Sequence, residues 1–340
     1  MDTFRRIVLA SRPAGPVTPE NFRLEEVPVP ECGDGQLLVR NHWLSLDPYM
    51  RGRMSEAKSY AAPQPLGETM IGGTAGEVVA SRHPKFAAGD RVVGYLGWAE
   101  MGLSDGTGLT KVDTTHVPLS AYLGPVGMPG VTAWVGLNRI IAPKAGETVV
   151  VSAASGAVGS VVGQLAKMAG CRAIGIAGGA DKCAYVVDEL GFDACVDYKA
   201  TSRDGVLDER AFSLQLKAAA PAGIDGYFEN VGGAILDCVL QRMNAFGRIA
   251  VCGMIAGYDG QPIPLKYPQL ILVSRLKVQG FIVSEHPDAW PPALKELGAG
   301  VASGRIKYRE SIADGLAAAP EAFIGLLKGR NFGKQLVRLA

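Results

Sequence analysis

The chain has 340 residues, a length that fits two domains better than one core. Hydrophobic residues make up 48% and charged residues 20%, the composition of a folded globular protein. A formal net charge of +1 argues against a nucleic-acid footprint or a polybasic membrane surface, and no apolar run approaches the roughly 20 residues of a spanning helix.

The chain opens on MDTFRRIVLASRP, which lacks the apolar core of a signal peptide, so a cytoplasmic protein is expected. Residues 1–125 carry short β-rich runs at 36–46, 74–81 and 90–98, broken by turn residues such as Pro28, Pro30, Gly33 and Gly35. This pattern predicts a twisted antiparallel domain. The pattern changes near residue 128. A helix is predicted over 131–141, closed by Pro143, and then a short apolar strand over 147–154. Helix 160–170, strand 171–178, helix 181–191 and strand 194–198 follow in turn. Asp181 is read as the N-cap of the second of these helices, and Gly191 lies past its end. Further strands are predicted over 224–232 and 247–254, separated by an apolar segment at 235–243, and one more over 276–283. Strands alternating with helices imply a parallel sheet covered on both faces. From about 299 the tail offers a helix at 317–327 and a strand at 334–340. Its pattern matches the first region, to which it is expected to return. The expected division is therefore 1–127 completed by 299–340, and 128–298.

The densest motif is Ala154-Ser155-Gly156-Ala157-Val158-Gly159, which follows a strand and opens a helix. On the dinucleotide fingerprint, Ala154 takes the first glycine slot, Gly156 the second and Gly159 the third. Gly156 lets backbone approach a diphosphate, Gly159 lets the helix pack close to the strand, and the helix N-terminus offers N–H groups to the anion. The second strand ends in the uncharged Ala177, Gly178 and Gly179, followed by Asp181 and Lys182. An acid at that end binds the ribose of NAD, whereas a cation suits the 2′-phosphate of NADP. With Asp181 read as a cap, Lys182 is either the phosphate partner or a solvated lysine. Asn230, in Glu229-Asn230-Val231-Gly232-Gly233, is either a cofactor contact or a left-handed turn residue. The loop at 252–258 has the same placement after a later strand, and its Tyr258 is either a hydrogen-bond donor in a cleft or a loop aromatic. In Leu46-Asp47-Pro48-Tyr49-Met50-Arg51-Gly52, Tyr49 is a second candidate donor. The plain alternative there is a turn at Asp47 and Pro48, with Arg51 paired to a carboxylate.

Six cysteines (Cys32, Cys171, Cys183, Cys195, Cys238 and Cys252) and four histidines (His42, His83, His116 and His286) are scattered without metal-ligand spacing. No metal is expected, and the cysteines read as small buried thiols.

Several segments together resemble the zinc-free branch of the medium-chain dehydrogenases/reductases, in the leukotriene B4 12-hydroxydehydrogenase/prostaglandin reductase group. They are VLASRPAGPVTPENFRLEE, LSLDPYMRGRM, MIGGTAGEVV, GMPGVTAWVGL, AASGAVGSVVGQLAKMAGC, AGGADKC, ENVGG, RIAVCGMI, VQGFIV and NFGKQLVRL. The resemblance implies an α/β fold: a Rossmann doubly wound parallel sheet plus a GroES-like β-rich domain. It implies NADPH as hydride donor, an α,β-unsaturated ketone or aldehyde as acceptor, and a homodimer. By motif position it implies cofactor contacts at Gly156, Ala157, Val158, Gly159, Lys182, Tyr198, Asn230, Cys252, Gly253, Met254, Ile255, Phe281, Ile282, Val283 and Asn331. It places Tyr258 at the substrate end. Asp197 stands where some relatives have asparagine and Trp134 where others have a smaller aromatic, which bears on substrate fit. The expected reaction is conjugate reduction, with the enolate oxygen met by Tyr258, Tyr49 or the cofactor ribose. Quinone reduction, alcohol oxidation and a non-catalytic NADPH-binding role are the alternatives.

Overall fold

The computed structural model describes residues 2–340 and divides them into two units. The first contains the chain up to Leu123 together with Glu310–Ala340, and the second is Gly124–Arg309. The second unit runs past the expected limit of 298 because a helix, Trp290–Ala302, spans that point.

The first unit is β-rich, as its alternating short runs require. Its strands are β1 (Thr3–Leu9), β2 (Phe22–Pro28), β3 (Leu37–Ser45), β4 (Thr74–Ser81), β5 (Arg91–Gly94), β6 (Met101–Ser104) and β7 (Thr110–Lys111), with helix α1 (Tyr49–Arg53) after β3. The predicted strand at 90–98 stops at Gly94. Gly97 adopts φ +79°, and Trp98 turns into the core with no exposed surface. Phe22 stacks on Trp98 with centroids 5.2 Å apart, and Phe323 meets it edge-on at 5.7 Å. Each such pair adds about 0.5–1.5 kcal/mol beyond area burial, and Phe323 belongs to the C-terminal segment. The tail therefore returns to this unit for a packing reason.

In the second unit, α2 (Met128–Val135) continues into a π-helical stretch, Gly136–Ile141. Then come β8 (Thr148–Ser152), α3 (Gly159–Met168), β9 (Arg172–Ala177), α4 (Ala180–Ala184) and β10 (Ala194–Asp197). A short hairpin, β11 (Ser202–Arg203) and β12 (Val206–Leu207), leads to α5 (Glu209–Ala219). Next are β13 (Ile224–Glu229), α6 (Gly233–Leu240), β14 (Met243–Val251), α7 (Gln269–Val273), β15 (Lys277–Gly280) and α8 (Trp290–Ala302). The sheet order is β10-β9-β8-β13-β14-β15, every pair parallel. Counted within this sheet, that is the 3-2-1-4-5-6 order of a Rossmann fold, with its switch point between β8 and β13. Both faces are covered, so β8 is buried along its whole length and Val150, Ile174, Ile176, Tyr227 and Ile249 share one core.

The chain then adds β16 (Glu310–Asp314), α9 (Ala319–Leu327) and β17 (Lys334–Arg338) to the first unit. β17 lies parallel to β16 and antiparallel to β3, with Val337 opposite Leu44. The β16-β17-β3-β4-β5-β7 sheet thus takes strands from both ends of the sequence.

Candidate cofactor and catalytic residues

The turn between β8 and α3 is shaped by contacts that leave no room for side chains. Ala153 has φ +50°, and its carbonyl accepts from the Gly156 N–H at 2.9 Å. A β-carbon at Gly159 would lie 2.4 Å from that same oxygen, so only glycine lets α3 start this close to the strand. At Gly156 the corresponding distance is 3.1 Å, which crowds without excluding. Ala154 is fully buried and donates to Ile176 O on β9 at 3.0 Å, which explains why the first glycine slot tolerates a methyl. Ala157 and Val158 complete the turn. Ser160 N donates to Gly156 O and Val161 N to Val158 O, both at 3.0 Å, so the N–H groups left for a diphosphate at this helix start would be those of Ala157, Val158 and Gly159.

The end of β9 carries a second anion feature. Gly179 has φ +107° and serves as the cap of α4, so the helix begins at Ala180. Asp181 is therefore an exposed residue of the first turn and not the cap expected of it. Lys182 follows in α4 and is half-buried. Burial, and then the neighbouring Lys199, lower its pKa from the ordinary 10.5. Two ammonium groups held near each other are costly unless an anion joins them. Lys199 was missed by sequence reasoning, because only the parallel pairing of β9 and β10 brings the loop after β10 beside α4. Tyr198 closes the same corner: a β-carbon at Gly178 would lie 2.7 Å from its ring and hydroxyl. Asp197 is engaged by backbone, accepting from Gly179 N at 2.8 Å and Lys199 N at 2.9 Å.

At the carboxyl end of β13, Glu229 has no exposed surface, and burial raises its pKa. It accepts from Ser152 Oγ at 2.9 Å and from Val231 N at 2.5 Å. Asn230 donates through its backbone N–H to Ser152 Oγ and through Nδ2 to Ser152 O, both at 2.8 Å. Asn230 is thus a tie between β13 and β8, and it does not adopt the left-handed conformation of the turn alternative. The 252–258 loop is sewn to the same residues. Cys252 N and Gly253 N donate to Glu229 O, and Ile255 N to Asn230 O, at 2.9, 3.1 and 3.2 Å. The Cys252 thiol is pushed up to about 12 by burial and by Glu229. Met254 precedes a single 3-10 turn, after which Tyr258 folds back. Its hydroxyl lies 3.2 Å from where a β-carbon of Gly253 would sit. Asn230, Gly253 and Tyr258 are therefore one cluster.

β15 ends at Gly280, short of the expected 283. Phe281 turns inward and packs edge-on against Phe228 at 6.1 Å. Only its backbone, with Ile282 and Val283, remains on the strand's carboxyl end.

Tyr49 and Asn331 belong to the first unit. Tyr49 opens α1, and its hydroxyl is buried with no hydrogen-bond partner among the described residues. Burial, and then Asp47, raise its pKa well above the ordinary value. Asp47 pairs with the buried Lys334 at 2.8 Å, and Lys334 also donates to Leu46 O at 2.7 Å. Arg51 donates to Gly15 O at 2.8 Å. Asn331 spends its Nδ2 on Gly333 O at 2.7 Å. Of the cysteines, Cys171 and Cys238 are buried as expected. Cys32, Cys183, Cys195 and Cys252 are partly exposed, which corrects the uniform reading. Among the described residues, no group of three or more His, Cys, Asp or Glu side chains is placed to hold a metal ion.

Residues 5–112 match a family model described as the N-terminal domain of oxidoreductase, and residues 157–299 one described as zinc-binding dehydrogenase. The NADPH-dependent curcumin reductase of Escherichia coli (strain K12) is 48% identical, over 99% of this chain and 97% of that protein. Prostaglandin reductase 1 of Rattus norvegicus is 41% identical over 94% of each. The chain belongs to the medium-chain dehydrogenases/reductases, in the group of the curcumin and prostaglandin reductases. A crystal structure of CurA in complex with NADPH from Vibrio vulnificus superposes with a TM-score of 0.91 at 45% identity, covering 99% of both chains.

Proposed function

We propose that this enzyme reduces the carbon–carbon double bond of α,β-unsaturated ketones and aldehydes with NADPH. The observation that carries the cofactor choice is the half-buried Lys182 with Lys199 beside it just past the end of the second sheet strand, where Asp197 is engaged by backbone N–H groups and the acid nearest Lys182, Asp181, is exposed on the first turn of α4. The names of the relatives support the acceptor class. NADPH, when bound, supplies the hydride that reaches the β-carbon.

The chain's own residues do the rest. Gly156, Ala157, Val158 and Gly159 hold the diphosphate, and Lys182, Lys199 and Tyr198 hold the 2′-phosphate. Asn230, Cys252, Gly253, Met254 and Ile255 present the carboxyl edge of the sheet beyond the switch point, with the backbone of Phe281, Ile282 and Val283 beside them. Hydride addition puts negative charge on the carbonyl oxygen, and a donor already in place there lowers the barrier. Tyr258 is that donor in our reading, and Tyr49 is the alternative. Neither needs a metal, and we propose zinc-independent catalysis in the cytoplasm. We further propose a homodimer through β15, the edge strand of its sheet. Val278 on it is 44% exposed, and Leu272 and Val273 just before it are 79% and 61% exposed.

An NADPH-oxidation screen over enals, enones, curcumin-type diketones, quinones and saturated ketones tests the reading. The expected product retains its carbonyl and gains two hydrogens across the double bond. Turnover of saturated ketones or quinones alone would reject it, and a chelator that abolishes activity would reject zinc independence.

A further inference from the structure

The second unit holds a pair of thiols that the reductase chemistry does not use. Cys183 lies in α4, immediately after Lys182, and Cys195 lies in β10. Their sulfur atoms are 2.6 Å apart. The fold makes this meeting and holds it. Cys183 N donates to Gly179 O at 3.1 Å, which fixes the first turn of α4. Gly175 of β9 leaves room for the sulfur, since a β-carbon there would lie 3.3 Å from Cys195 Sγ and 2.8 Å from Val186. The two partners are not equivalent. The contact between them couples their titration, so that one thiol loses its proton more readily than the other. Cys183 stands on a helix and Cys195 in the sheet strand it packs against, two thiols in contact as an attacking and a resolving cysteine must be.

We propose that Cys183 and Cys195 are a redox-active pair that closes into an intrachain disulfide when a peroxide reaches Cys183. The Cys183 thiolate attacks one peroxide oxygen. The O–O bond breaks, and with hydrogen peroxide the departing oxygen leaves as water after taking up a proton. Cys183 is then a sulfenic acid. Cys195 sulfur attacks Cys183 sulfur, the S–S bond forms and the S–O bond breaks, and the hydroxide leaves as water with the Cys195 proton. Two thiols have lost two electrons and two protons, and one hydrogen peroxide has become two waters. Reversible disulfides of this kind are the form expected in a reducing compartment. The bond braces α4 against β10 beside Lys182 and Asp197.

The full-length protein is exposed to a small excess of hydrogen peroxide, quenched with an alkylating agent and digested. No Lys or Arg lies between Lys182 and Lys199, so trypsin releases both cysteines in one peptide, 183–199. The expected peptide is lighter by two hydrogens, refuses alkylation, and is restored by dithiothreitol. Cutting after Glu189 splits it into two pieces still joined. Closing so short a loop should raise the Tm of the oxidised protein by about 5 °C. In Cys195→Ser, Cys183 should instead accumulate as sulfenic acid that dimedone traps, while the reduced variant keeps the parent Tm. Conversion of Cys183 to sulfinic acid at the same rate in the parent and in Cys195→Ser would overturn the pair. So would a Cys183 no faster to react than Cys32.

Discussion

Lys182 and Lys199 share a corner where Lys199 raises the cost of the Lys182 charge. Burial, and then Lys199, set the Lys182 pKa below its ordinary 10.5. A phosphate there reverses the balance and favours the charged form. As pH rises through the alkaline range, the free protein sheds the Lys182 proton before the phosphate-bound form does. NADPH affinity is therefore full at neutral pH, falls above the lowered pKa, and is accompanied there by proton uptake. NADH, without the phosphate, should show no such slope. Titrations with both cofactors between neutral and alkaline pH check this. Lys182→Glu should weaken NADPH by about 10–100-fold, the worth of a charged hydrogen bond, and leave NADH nearly untouched. Equal losses would remove Lys182 from the site. The two candidate donor tyrosines separate in a similar way. Tyr258→Phe keeps the ring and deletes the donor, so kcat should fall about 10–100-fold with cofactor affinity unchanged. Tyr49→Phe removes a buried hydroxyl that has no partner, so the protein should be as stable or up to about 1 kcal/mol more stable. A fall in kcat in that variant, and not in Tyr258→Phe, would move the donor role to Tyr49. Lys182 stands out in the sequence as a candidate because it lies shortly after the uncharged strand end at Ala177. Lys199 does not, since its proximity depends on strand pairing.

Elements set these residues in place through backbone contacts, and two glycines of one turn should fail differently. A β-carbon at Gly159 meets the Ala153 carbonyl at 2.4 Å, and α3 cannot back away without unpacking from β8. Gly159→Ala should cost about 1–3 kcal/mol of stability, read as a lower Tm, with cofactor binding lost as well. At Gly156 the distance is 3.1 Å, so Gly156→Ala should fold nearly normally and lose affinity for NADPH, because its methyl occupies the approach of the diphosphate. Thermal unfolding beside cofactor titration separates the two. This turn was legible because strand, glycines and helix lie within a few consecutive residues and the spacing carries the geometry. What escaped was either a competing local solution or a distant partner. Asp181 has the chemistry of an N-cap, but Gly179 takes the required conformation at φ +107° and starts the helix earlier. Phe281 continues an apolar run that reads as strand, yet its ring is drawn into the core against Phe228. Asp47 found its cation in Lys334, 287 residues away, and no local pattern announces such a pair.

At the scale of the whole molecule, the same strand order that creates the switch point leaves β15 at the margin of its sheet. An exposed edge strand with apolar side chains invites another strand. Here the invitation is broad, since Leu272 and Val273 of α7 flank β15 and Val278 lies on it. A second copy of the chain meets the need with the least new chemistry, because a twofold axis lets one patch cover itself. Lys277 sits beside Val278 on the strand, and in such a dimer its long side chain extends past the contact into water. Sedimentation at micromolar concentration should give twice the chain mass. Val278→Glu combined with Leu272→Glu places four like charges in the contact, two from each chain, and should weaken self-association by at least about 100-fold, at about 1–3 kcal/mol for each charge. The glycine turn and the Lys182 corner lie at β8 and β9, strands of the sheet interior that β15 does not touch. The variant should therefore bind NADPH with the parent affinity as a monomer. A parent protein that already sediments as a monomer would dismiss the dimer. A variant that stays dimeric would move the interface to another surface of the chain.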